Sequence, residues 1–265
     1  MPNRIGLSSY NYKINHGERR EFSLNLFPAP SAVKSCLKEA LENRLENCSR
    51  TAVRQTYNTR HFLTSDPHAI AETAVCLSQG ELVVFPTDTV YGVGVDAFKA
   101  DAILKLYTVK QRPLDKGIPI LLADLDDINK VAVNIPLAAQ AAIHAFWPGP
   151  LTIIVPKHPD LPACISPNAG IALRIPNHEA ARALIRAAGG ALATSSANLS
   201  GHQPACDGLT ALTALQGRVA AVLDGGATPG NTPSTIVNFL KTEQPVLREG
   251  PISVEQLRQS GVDSL

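Results

Sequence analysis

Apolar and polar positions change their rhythm near residue 64. Upstream, Ser8 to Arg20 is polar and follows neither a period of 2 nor one of 3.6. One helix is predicted there, over Ser31 to Asn47, where Val33, Leu37, Leu41 and Leu45 recur every four residues behind Pro30. Cys48 to His61 is polar again. From Asp66 the pattern becomes regular. Asp66-Pro67 joins an N-cap residue to a proline at the first helical position, so a helix is expected over Pro67–Ser78, stopped by Gly80. Short apolar runs predict strands at Glu81–Phe85, Ile118–Leu122, Leu151–Val155, Ile171–Ile175, Ala191–Thr194, Ala220–Leu223, Thr235–Phe239 and Val246–Arg248. Helical spacing predicts Lys99–Lys110 (closed by Pro113), Asp124–Val131, Leu137–Phe146, His178–Ala188 and Val254–Ser260. The late strands follow one another without helices between them. The chain therefore reads as α/β with a mixed sheet, not a strict parallel winding.

Charge sharpens the same division. The 265 residues carry a net +1, but residues 1–63 hold +5 and residues 64–265 hold −4. Two segments follow: 1–63, an unassigned and largely disordered extension, and 64–265, the functional domain. Arginines in the extension suit a transit peptide, but its five glutamates do not. There is no run of about 18 apolar residues, so no membrane span is expected. No basic stretch followed by an apolar one opens the chain as a secretory signal would. Cysteines at 36, 48, 76, 164 and 206 are scattered without a C-x-x-C pair, as expected of reduced thiols in a cytoplasmic protein. No two histidines lie three or four apart and no carboxylates have ligand spacing, so no metal held by the protein itself is expected.

The candidate chemistry sits in loops. Pro86-Thr-Asp-Thr-Val-Tyr-Gly92 follows a buried strand with two hydroxyls, a carboxylate and a phenol. It reads either as a ligand loop at a strand end or as a tight turn capped by its own side chains. Gly92-Val-Gly94-Val-Asp-Ala97 imitates a dinucleotide fingerprint, but lies too far from the end of the preceding strand for a tight strand-to-helix turn. Lys110-Gln-Arg112-Pro113 places two cations where a helix gives way to extended chain, so both can turn toward one anion; a solvated helix end would look the same. Trp147, the single tryptophan, reads as a core plug ahead of Thr152. Thr194 to Gly201 supplies several hydroxyls and the Asn198 amide, with no adjacent His/Asp partner to make a serine nucleophile. Gly225 to Thr232 has P-loop spacing, yet Asn231 replaces the lysine and a strand, not a helix, follows. Arg174 and Arg248 are further cations at strand ends.

Together these pieces resemble the YrdC-like family, the threonylcarbamoyl-AMP synthases of the TsaC type. The matching residues are Pro86-Thr-Asp-Thr-Val-Tyr-Gly92, Lys110-x-Arg112-Pro113, Trp147-Pro-Gly-Pro-Leu-Thr152, Leu173-Arg-Ile-Pro176, Ser196-Ala-Asn198-x-Ser-Gly201, Asp224-Gly-Gly226, Ser234-Thr-Ile-Val237 and Leu247-Arg248, in the family's order. About three quarters of the chain is covered, and residues 1–63 are not. The resemblance implies a twisted mixed sheet with flanking helices and an open concave groove. It implies synthesis of L-threonylcarbamoyl-adenylate and pyrophosphate from L-threonine, bicarbonate and ATP. That product would feed threonylcarbamoyladenosine at position 37 of tRNA through a separate transferase complex.

Carried over by motif, Lys110 and Arg112 would neutralise the reacting anions and hold ATP. Thr89, Tyr91, Arg174 and Ser234 would contact threonine. Thr152, Ser196, Asn198 and Arg248 would hold ATP, with Mg²⁺ riding on its phosphates. One departure is clear: longer members carry a histidine in the strand after Lys-x-Arg, and Ile118-Pro-Ile-Leu-Leu122 has none. The alternatives are an RNA-binding or ribosome-maturation module in the same groove, a hydrogenase-maturation-like carbamoyl transferase, and a Rossmann oxidoreductase. A direct tRNA or RNA contact belongs to the first of these, and the −4 balance of residues 64–265 opposes broad phosphate-backbone binding.

Overall fold

Ten strands form one mixed sheet in a computed structural model that describes residues 57–230, 232–241 and 245–262, all within the unit Leu45–Leu265. In chain order the elements are β1 (Arg60–Leu63), α1 (Ala69–Ser78), β2 (Val83–Phe85), β3 (Gly92–Asp96), α2 (Ala100–Lys110), β4 (Ile120–Leu122), a 3₁₀ segment (Leu125–Lys130), α3 (Leu137–Phe146), β5 (Leu151–Pro156), a second 3₁₀ turn (Ala163–Ile165), β6 (Gly170–Arg174), α4 (Glu179–Ala187), β7 (Ala191–Ser196), α5 (Gly208–Leu215), β8 (Ala221–Asp224), β9 (Thr235–Asn238), β10 (Val246–Arg248) and α6 (Val254–Gln259). The strand order is β1-β8-β2-β3-β7-β4-β6-β5-β9-β10. Parallel pairs (β1·β8, β2·β8, β4·β6, β5·β9) occur alongside antiparallel ones, which confirms the expected mixed sheet with flanking helices. The predicted helix Ser31–Asn47 lies outside the described residues.

The periodicity finds most elements because each has one face in the core. α1 and α4 pack together, and their Leu77, Leu184 and Ile185 meet Phe85, Leu192 and Leu223 of the sheet. Burying each such side chain contributes about 1.5–3 kcal/mol. Trp147 is buried as the expected core plug, its indole N–H donating to the Leu151 carbonyl at 2.7 Å. Cys76, Cys164 and Cys206 are not in disulfides. No helix among the described residues is long and apolar enough to cross a membrane.

Four findings differ from the pattern. The sheet begins at Arg60, upstream of the expected change at residue 64: β1 pairs in parallel with β8, Arg60 opposite Ala221 through Leu63 opposite Asp224. It is an edge strand with mostly exposed side chains, so it carries no apolar run. The fingerprint-like Gly92-x-Gly94 is strand β3, hydrogen-bonded between β2 and β7. A side chain at Gly92 would meet Thr194 Cγ2 at 2.9 Å, and one at Gly94 would meet the Phe85 ring at 2.9 Å, so these glycines make room across the sheet and cradle no phosphate. Asp124–Val131 is a 3₁₀ segment rather than an α-helix; Asp124 and Asp127 form a capping box at its start, and Val131 N–H bonds back only three residues, to Ile128. Helix α5 was not expected from the pattern; Asp207 caps it by accepting the Thr210 amide at 2.8 Å.

Candidate active site

Lys110 is the last residue of α2, and Gln111 then turns left-handed at φ 50°. The turn frees the lysine from the helix surface and aims it at the end of β7. There its ammonium donates to the main-chain oxygens of Ser196 and Asn198 and to Asn198 Oδ1, the last at 2.9 Å. All three hydrogens therefore sit on neutral oxygens, and among the described residues no carboxylate forms an ion pair with Lys110. The residue is 2% exposed. Burial, aided by the nearby Arg112 charge, pushes its pKa down to about 8. Ser196 Oγ also donates to Asn198 Oδ1, and the Asn198 amide donates to Leu199 O at 2.9 Å and His202 O at 2.6 Å. Lys110 thus gathers Ser196 and Asn198 into one cluster.

Arg112 follows the same rule. Its Nε donates to Lys116 O at 3.0 Å and its Nη2 to Gly117 O at 2.7 Å, so it braces the turn before β4. Burial lowers its pKa, with Tyr107 and Asp115 acting the other way. Here too the acceptors are neutral.

Arg174, at the end of β6, is built differently. It is 6% exposed and forms an ion pair with Asp88 on the β2–β3 loop. It also donates to Thr89 Oγ1 at 3.0 Å and Gly149 O at 2.9 Å. Burial pulls its pKa down, and the Asp88 carboxylate opposes that. Thr87 and Thr89 share a hydroxyl contact at 3.1 Å, and Thr87 Oγ1 donates to Val90 O at 2.6 Å, so this loop holds its own shape.

The third cluster is Thr152, Ser234 and Arg248. Thr152 and Ser234 hydroxyls lie 2.7 Å apart, on β5 and just before β9, two strands paired in parallel. Arg248 Nε donates to Ser234 O at 2.9 Å and its Nη2 to Ser234 Oγ at 3.3 Å. Burial lowers the Arg248 pKa, and the Arg174 charge lowers it further, which puts both guanidiniums in one field. Thr152 and Arg248, expected on ATP, therefore stand with Ser234, expected on threonine.

Tyr91 is fully buried, and its hydroxyl is engaged. It lies 2.6 Å from Gly226 O and 3.2 Å from Asp224 Oδ1, and accepts the Gly225 amide at 3.0 Å. Burial pushes its pKa well up. Its side chain thus ties the β2–β3 loop to the turn after β8. Asp224 Oδ1 also accepts the Gly226 amide at 2.8 Å, and Oδ2 takes the His61 Nε2–H at 2.9 Å. Asp88 and His61 are absent from the residues picked out by sequence. Asp88 could have been found as the one carboxylate among the hydroxyls of its loop, whereas His61 carries no local signal. Among the described residues no group of three His, Cys, Asp or Glu is arranged to hold a metal ion. The P-loop imitation cannot be followed at Asn231, which lies outside the described residues, but the chain enters β9 at Thr235 without a helix.

The chain as a whole has relatives. Residues 75–250 match the Sua5–YciO–YrdC family, described under telomere recombination. A Bacillus subtilis threonylcarbamoyl-AMP synthase is 38% identical over 204 residues, covering 75% of this chain and 58% of that protein. A Mycobacterium tuberculosis protein, to which the same name is provisionally given, is 37% identical over 212 residues, covering 78% of this chain and 97% of that one. Among solved structures, a Pyrococcus abyssi Sua5 complexed with L-threonine superposes with a TM-score of 0.71 at 31% identity, over 76% of this chain and 60% of that one. The chain thus spans less than two thirds of the Bacillus and Pyrococcus relatives and nearly all of the mycobacterial one.

Proposed function

The chain belongs to the Sua5–YciO–YrdC family, and from that premise we propose that it is a threonylcarbamoyl-AMP synthase. It joins L-threonine and bicarbonate to a carbamate with loss of water. A carbamate oxygen then attacks the α-phosphate of ATP, forming threonylcarbamoyl-AMP and releasing pyrophosphate. The observation that carries this reading is a set of three cations, the buried Lys110, the half-buried Arg112 and the exposed Arg248, hydrogen-bonded to neutral oxygens only. A desolvated cation without a counter-ion, as at Lys110, favours an anion strongly, and ATP, bicarbonate and the developing charge at phosphorus are anionic. Thr89, Arg174, Thr152 and Ser234 suit an amino acid: a cation for its carboxylate and hydroxyls for its side chain. The Asp88–Arg174 pair keeps that cation in place until substrate arrives. Tyr91 serves threonine indirectly, by holding the loop that carries Thr89.

Mg²⁺ belongs to this scheme as part of the MgATP substrate. Asp88 is engaged by Arg174, and Asp224 by His61, Tyr91 and the glycine turn, so phosphate oxygens are its natural ligands. The product passes to a separate tRNA threonylcarbamoyl transferase complex, and a cytoplasmic location suits a protein that draws on ATP and serves tRNA. Lys110 and Arg174 are too buried to read an RNA backbone, which favours the synthase over the RNA-binding alternative. The test is pyrophosphate release from ATP with threonine and bicarbonate omitted in turn. Release is expected only with both present; release that ignores either one overturns the reading.

A further inference from the structure

The stretch that matches the family starts at residue 75, yet the Asp224 carboxylate is reached from outside it. His61, on edge strand β1, donates Nε2–H to Asp224 Oδ2 at 2.9 Å; β1 pairs in register with β8, placing His61 opposite Val222 and two residues ahead of Leu63, opposite Asp224. We infer that His61 is a positioning residue for threonine binding, acting through Asp224 on Tyr91 and the Gly225–Gly226 turn. This rests on the synthase reading for its substrate, though not for its geometry.

Asp224 is the hub. One oxygen serves the Gly226 amide and the Tyr91 hydroxyl, and the other faces the His61 imidazole. The carboxylate also abuts the first residue of α5: a side chain at Gly208 would meet Asp224 Cγ at 2.0 Å, so the group is held on that side by backbone. The Asp224 pKa is lowered: burial works against the charged form, but the Gly226 amide, His61 and Tyr91 outweigh it. The carboxylate is therefore an acceptor, and His61 is its donor. Remove that donor and Oδ2 loses its partner. The carboxylate is then free to rotate and compete for the Tyr91 hydroxyl.

Tyr91 transmits such a movement to both sides of the site. Its main-chain oxygen accepts the Ala197 amide at 2.8 Å, between Ser196 and Asn198. The turn that Asp224 and Tyr91 hold continues to Gly230, which lies against the backbone of Asp88 and Thr89. His61 touches no substrate in this account. It sets the loops that do.

The test uses the full chain with His61→Ala and His61→Gln, the glutamine amide being able to donate to the same oxygen. Expected in H61A is a rise of about fivefold in KM for L-threonine, the scale of one ordinary hydrogen bond, with a smaller change in kcat. H61Q is expected to recover most of it. The Gly225 and Gly226 amide resonances should shift in H61A and return in H61Q. An unchanged threonine KM in H61A overturns the inference, as does equal loss in both variants with a matching drop in Tm. If the wild type releases no pyrophosphate, the synthase reading fails by itself, and amide resonances unmoved in H61A then overturn the positioning role independently.

Discussion

Arg174 and Lys110 are both buried cations, yet only Arg174 has an anion beside it. Asp88 neutralises the arginine, and the pair closes a local structure with Thr89 and Gly149. Lys110 is surrounded by carbonyl and amide oxygens, and its lowered pKa records the strain of holding a charge there. Arg112, half-buried, and Arg248, exposed, share only the neutral acceptors. The difference separates two jobs that a count of basic residues would merge. A cation with its own carboxylate shapes a pocket, whereas a desolvated cation with only dipoles around it holds potential that an incoming anion can satisfy.

The largest expected effect breaks the unpaired side. Lys110→Ala should lower kcat/KM for ATP by at least about a hundredfold, since it removes a charge used at the phosphates. The sheet should persist, because Lys110 contributes nothing to its core; circular dichroism and turnover measured together check this. Activity close to wild type would make the lysine merely a clasp for the Ser196–Asn198 loop.

The paired side should respond in stability first. Asp88→Asn leaves Arg174 buried without its anion, a loss of about 3–5 kcal/mol. At roughly 2–4 °C per kcal/mol for a chain of this size, the Tm should fall by about 10 °C. Adding Arg174→Met should recover part of that loss, because an apolar side chain leaves no uncompensated charge. A double variant no more stable than D88N would mean that the two residues do not act as a pair.

The smallest effect is a pH dependence on the unpaired side. Lys110 titrates near 8 in the folded protein, against an ordinary value of 10.5. Below about pH 8 it is protonated both folded and unfolded. Between about 8 and 10.5 the unfolded chain holds the extra proton, so this group adds stability as pH rises through that window. Anion binding runs the opposite way, because the neutral amine has lost its charge. The kcat/KM for ATP should therefore fall as pH rises through about 8. Lys110→Arg should flatten that limb, and a limb that persists in K110R would assign it to another group.

How much was legible follows from what each element buries. α3 spans the same residues as its periodic stretch, Leu137–Phe146, and β10 the same as its apolar run, Val246–Arg248. β3 was not, because Gly92 and Gly94 are small for the sake of side chains across the sheet, Phe85 on the paired β2 and the sequence-remote Thr194 on β7. β1 was not, because an edge strand needs no apolar alternation. In the site, the loop motifs and their cations are visible in the sequence, but the grouping of their side chains is not. Thr152 and Arg248 meet Ser234 only because β5 pairs with β9, and β9 with β10.

The sequence by itself determined the mixed α/β pattern and the order of the polar loops, along with the cations that could serve an anionic reaction, because periodicity and residue chemistry are local properties. Only the tertiary structure decided which cation would be neutralised. Asp88 and Arg174 lie far apart in the chain, as do Lys110 and Asn198, and the counter-ion that a buried charge acquires or lacks depends on which strands the sheet brings together. His61 is the clearest case: nothing around it in the sequence marks it, and a parallel strand pair places it against Asp224.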